Sequence, residues 1–221
     1  MTPGSRKNIF MSTRKEKIEL LKKTAFEMFP NAETELYHEN EFQLLIAILM
    51  SAQATDKQVN IINRNFFRFL LTPEDGVKLW VEEVTDFINS VSFFNNKAKN
   101  IVKTCEILIE KHASKPPKTI EELIKLPWVG IKTAKVFLSV TEKAPYLWVD
   151  THVHRVLNRI GIVKTKTPLE TDKKAVSVFD AADLAPLHNT LVLFGRYHCT
   201  ARNPKCGVCP IKQACSFATK K

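Results

Sequence analysis

No apolar run in this 221-residue chain approaches the roughly 20 residues needed to cross a bilayer, and no secretory signal core is visible near its start. The sequence therefore predicts a protein without membrane attachment that stays inside the cell. Acidic residues are absent beyond Asp183, whereas Arg196, Arg202, Lys205, Lys212, Lys220 and Lys221 all follow it. With a net charge of +10 and a pI near 9.4, this suggests a polyanionic partner, although charge alone is equally compatible with a membrane surface or simple solubility. No internal repeat stands out. A hydrophobic content of 44% is enough for a sizeable core in one or two domains.

Residues 1–11 carry no periodicity and read as a flexible leader, with Met11 a second possible start. Between Ser12 and Phe29, Ile18, Leu21, Ala25, Met28 and Phe29 fit one helix face, and Pro30 stops it. Lys15, Lys17, Lys22 and Lys23 are expected on its solvated side. The run FQLLIAILM within 41–51 is too short for a membrane and predicts a central helix buried on most sides. After the polar break SAQATD, Asp56 is expected to cap a helix carrying Val59, Ile62, Phe66 and Phe69. Helices are expected over 74–80, 82–90 and 97–113, separated by PEDG and SFFNN, with Cys105 a small buried hydrophobe. Phe93 and Phe94, in the loop at 92–96, are each better read singly as core residues. Thr167, Pro168 and Glu170 open a further helix, and another is centred on 187–194.

The chain is organised around 126–150, LPWVGIKTAKVFLSVTEKAPYLWVD. Thr119 and Glu122 have capping-box spacing, and the helix they open is expected to end near Leu126. Pro127 disfavours continuation and Gly130 permits a backbone that side chains resist. Thr133 to Val140 then form a second helix, giving helix, hairpin, helix. Amides around Val129, Gly130 and Thr133 at that helix start form an anion site, which in a basic chain suits a phosphate. Lys132 lies in the first helical turn, where the macrodipole, helped by burial, disfavours the protonated amine and favours a nucleophile. On position alone, a solvated surface lysine is the better reading. Asp150 has the right chemistry to cap the helix that follows, a role compatible with catalysis.

Cys199, Cys206, Cys209 and Cys215 give C-x6-C-x2-C-x5-C. Disulfides are rare inside cells, so this spacing predicts a metal site, either zinc or an iron–sulfur cluster.

LPWVGIKTA followed by VDTH, LLIAILMSAQATDKQVN at 44–60 and the four cysteines together resemble the helix-hairpin-helix DNA glycosylase superfamily, and within it the endonuclease III family, over nearly all of 15–217. The resemblance implies an all-α, two-lobed fold with a DNA groove between the lobes. One lobe would be a six-helix barrel over 36–144 containing the helix-hairpin-helix at 119–140; the other would join 12–35 to 145–221. It implies that Lys132 is the attacking amine and that Asp150 assists it, the two facing each other at the groove. Gln53 would enter the DNA stack, Phe93 would act as an apolar wedge, and Arg202 and Lys205 would contact phosphates from the loop between the first two cysteines. The four cysteines would hold a [4Fe-4S] cluster. The implied activity is that of a monomeric, nucleoid-associated bifunctional glycosylase and AP lyase acting on oxidised pyrimidines or abasic sites in duplex DNA. A monofunctional mismatch glycosylase, or a non-catalytic iron–sulfur damage-binding protein, are the alternatives. One departure stands out: the family usually writes LPGVG, and here Trp128 replaces the first glycine.

Overall fold

A computed structural model describes residues 13–220; the leader at 1–11, with Met11, lies outside the described residues. Among the described residues every regular element is helical, as expected. In chain order these are α1 (Arg14–Met28), α2 (Glu41–Ser51), α3 (Asp56–Phe66), α4 (Pro73–Lys78), α5 (Val81–Ile88), α6 (Phe94–His112), α7 (Ile120–Leu123), α8 (Ile131–Thr141), α9 (Thr151–Ile160), α10 (Pro168–Ala175) and α11 (Ala181–Leu193). The chain divides into two compact units, residues 33–148 and residues 13–32 with 149–220.

The unit of 33–148 is built around α2. Every residue from Phe42 to Met50 is buried, so this helix has no solvent face, as its unbroken apolar run predicts. Its one polar member, Gln43, donates to the carbonyls of Phe67 and Leu70 at 3.1 and 3.0 Å and accepts from the Glu39 amide, so the buried amide group is satisfied. α3, α6 and α8 pack against α2, while α4 and α5 lie on α6. Asp56 is not the cap of α3. Thr55 is, its side chain accepting from the Gln58 amide, and Asp56 is the first helical residue, where its charge suits the dipole. PEDG does not separate helices but opens α4 through a Thr72–Asp75 capping box with Pro73 in the first turn. α6 begins three residues before 97, which draws Phe94 into the helix, partly buried against the core. Cys105 is fully buried there, and burial pushes its thiol up to about 12.

The other unit packs α1 and α9 against α11, and α10 against α9. Thr13 and Glu16 close a capping box on α1. Lys17 and Lys22 are not part of its solvated face. The Lys17 Nζ donates to the Ile160 carbonyl at 3.1 Å and to Ser216 Oγ at 2.8 Å, and Lys22 pairs with Asp183 on α11 at 2.7 Å. Lys15 and Lys23 remain exposed. Thr167 caps α10 as expected, but Glu170 accepts from the Lys166 amide, one residue before the cap. A π-helical turn at Phe194–His198 continues α11 into Cys199. That turn touches α9, and a side chain at Gly195 would run into His152.

Candidate functional site

In the 33–148 unit, α7 is a single turn that ends at Leu123, earlier than the helix expected to reach Leu126. Turns with Leu126 N to Leu123 O at 3.0 Å and Val129 N to Leu126 O at 3.2 Å lead to Gly130, the N-cap of α8. Three expectations change here. The left-handed residue is Trp128, at φ +63°, not Gly130, at φ −87°. A side chain at Gly130 would meet nothing within 4 Å, so the protein's own packing does not demand glycine there. The Val129 amide is already bonded within the turn, and its side chain is buried in the core, so the anion-facing amides are those of the start of α8. The Ala134 amide bonds back to the Gly130 carbonyl at 3.0 Å, and Thr133 lies at the helix N-terminus before it.

Lys132 is exposed, not buried as expected. Its Nζ lies 3.8 Å from the centroid of the Trp148 ring, a cation–π contact that holds the side chain in one place at the hairpin. Gln53 and Phe93 are both exposed, and both adopt left-handed backbone, at φ +58° and +59°. Such a conformation costs a side chain roughly 1–2 kcal/mol and marks both positions as held by their surroundings.

One residue at this site escaped the sequence reading. Lys97 is 1% exposed, and its ammonium donates to the carbonyls of Met50 at 2.8 Å and Ala52 at 2.7 Å, the end of α2. Burial holds the amine below its ordinary value. The signal was present: 97, 101, 105 and 108 form the buried stripe of α6, and a lysine in such a stripe needs a partner.

In the other unit, Asp150 caps α9 as expected. Its Oδ1 accepts from the His152 and Val153 amides, both at 2.8 Å, which fixes the carboxylate at the start of the helix. Arg155 and Arg159, on successive turns of α9, reach the cysteine segment. Arg155 donates to the carbonyls of Gly195 and Cys199, and Arg159 to those of Thr200 and Ala201, with Cys199 Sγ 3.6 Å away.

Cys199, Cys206, Cys209 and Cys215 carry no disulfide. All four line one cavity together with Ile160 and Phe194. Among the described residues no three His, Cys, Asp or Glu side chains are grouped as a single-ion site. Four thiols that share one cavity without being drawn together as a single-ion site suit a polynuclear cluster better than zinc. His198, on the wall of the cavity, is buried with its Nε2 unpartnered, and burial, then Lys205, lowers its basicity. Burial pushes the Cys199 and Cys209 thiols up, with Arg159 acting in the opposite sense on Cys199. Arg202 and Lys205 are exposed on the loop between the first two cysteines.

Residues 46–180 match the model of the HhH-GPD superfamily base excision DNA repair proteins, and residues 199–215 match the iron–sulfur binding domain of endonuclease III. Endonuclease III of Rickettsia conorii is 44% identical over 87% of this chain and 93% of its own length. The chain belongs to the endonuclease III family. The Escherichia coli member is 40% identical over 86% of this chain and 90% of its own length. A trapped endonuclease III–DNA covalent intermediate superimposes with a TM-score of 0.84 at 39% identity, covering 95% of this chain and 99% of that one. With that family come a DNA glycosylase and AP lyase activity in base excision repair and a [4Fe-4S] cluster, for which the cavity has the four thiols.

Proposed function

We propose that this chain removes oxidised pyrimidines from duplex DNA as a monomer, through a Schiff base on Lys132 followed by β-elimination. The observation that carries the reading is the placement of Lys132 in the exposed first turn of α8, beside the hairpin amides, in a family one of whose members has been trapped as a covalent DNA intermediate. A base within a duplex must first be turned out, at a cost of a few kcal/mol that is lowest at damaged pairs. Phe93 and Gln53, exposed on two turns, fill the space vacated in the stack. The neutral Lys132 amine attacks the sugar C1′. The C1′–N bond breaks, and the base departs with the electron pair and takes up a proton. Ring opening leaves an imine at C1′, which acidifies the C2′ proton; its removal expels the 3′ phosphate. Asp150, its carboxylate held by two amides, takes a proton from the amine or steadies the cationic sugar.

Cys199, Cys206, Cys209 and Cys215 would hold the cluster, and their ligation would give the loop of Arg202 and Lys205 a fixed shape for phosphates. Borohydride trapping on duplexes containing thymine glycol or an abasic site tests the mechanism. The wild-type chain is expected to give a covalent adduct and Lys132→Ala none. Binding without adduct or nick in the wild type would instead leave a monofunctional enzyme or a pure binder. Lys132 weighs against the mismatch-specific reading, because mismatch enzymes usually lack lysine at this position.

A further inference from the structure

We infer that Lys97 is a positioning residue that holds the two turns carrying Gln53 and Phe93 in a fixed spatial relation, so that both enter the duplex together. The inference rests on the DNA reading above. Lys97 grips both turns at once. Its ammonium takes the carbonyls of Met50 and Ala52, and the next residue in the chain is the left-handed Gln53. Its backbone amide takes the carbonyl of Phe93, itself left-handed, at 3.0 Å. Both strained residues are thus one bond removed from the same side chain or its backbone.

Ending α2 did not require this device. Glycine in the left-handed position commonly ends a helix, and water can cover the last carbonyls. Here the left-handed residue is a glutamine, and the carbonyls before it are covered by a buried ammonium that forms no ion pair among the described residues. A buried charge held by carbonyls is costly to desolvate, although its sign suits the end of a helix. What it secures is geometry: three donors on a stem anchored in α6 fix the direction in which residue 53 leaves the core. A small cavity lined by Lys97, Leu49, Met50, Asn100, Ile101 and Trp128 lies beside it, so the hairpin residue Trp128 borders the same space.

The test compares the full chain with Lys97→Met, which keeps stem length and removes the donors. Two substrates are used: duplex DNA with thymine glycol, which must be opened, and a single-stranded abasic oligonucleotide, which need not be. Trapping by Lys97→Met is expected to fall at least ten times further on the duplex than on the single strand. Gln53→Ala should show the same bias, and the double variant should be no worse than Gln53→Ala alone. Equal losses on both substrates, or losses that multiply in the double variant, would overturn the inference. If Lys97→Met does not fold, Lys97→Gln, which keeps one donor group, is judged by the same two criteria. Wild-type failure on both substrates would count against the lyase reading itself, which separates the two failures.

Discussion

Trp128 shows how much one side chain can be made to tolerate. At φ +63° it pays roughly 1–2 kcal/mol that glycine would not. The residue is 46% exposed, so about half of its surface is buried, a contribution on the order of 2 kcal/mol. The two terms are of similar size, and this is how a tryptophan persists at a position where the family usually has glycine. They can be separated. Trp128→Ala loses the packing and keeps the strain; Trp128→Gly loses the packing and relieves the strain. Trp128→Gly is therefore expected to be more stable than Trp128→Ala by about 1 kcal/mol, read as a Tm higher by about 2–4 °C. The opposite order would mean that residue 128 does not need the left-handed region. The sequence marked this residue as the departure and could not supply the φ, because the turn is set by where α7 stops, and α7 stops three residues before Leu126.

At the scale of elements, caps and apolar periodicity placed most helices to within a few residues, since both are local properties. α2 was legible because nine consecutive buried positions leave a helix no polar face to hide. What local reading missed are polar groups whose partners are distant in sequence: Lys17 with Ile160 and Ser216, Lys22 with Asp183, Lys97 with Met50 and Ala52. Each was read as solvated, or not singled out, because its acceptor appears only once the helices pack. The Lys22–Asp183 pair, with side chains about one-fifth exposed, joins α1 to α11. Hydrogen bonding to Asp183, against burial, raises the amine above its ordinary 10.5. A raised folded value means that the stabilisation is complete below pH 10.5 and is lost as pH rises through the folded value. Lys22→Met is accordingly expected to cost about 1 kcal/mol near pH 8. The gap from wild type should close above pH 10.5, as followed by urea melts across that range. A gap independent of pH would assign the loss to packing of the lysine stem instead.

For the molecule as a whole, the cysteine spacing and the +10 charge were the most readable features, because ligand spacing and charge survive without knowledge of packing. The expectation that Lys132 and Asp150 act together comes only from resemblance: in sequence they are a hairpin lysine and a helix cap, and the structure finds each as such in its own unit. The same charge supplies the last prediction. DNA affinity that comes from phosphate contacts falls with salt, by a slope of about 0.9 per neutralised phosphate. Arg202 and Lys205 are exposed on a loop flanked by Cys199 and Cys206 and braced by Arg159, with no acidic residue after Asp183 in the sequence. Replacing both with alanine should make the plot of log K against log salt shallower by about 2, weaken damaged and undamaged duplexes alike, and leave melting unchanged. An unaltered slope would mean that these cations only solubilise the loop, and the phosphate-binding surface would then have to lie with the hairpin and the lysines of the 33–148 unit.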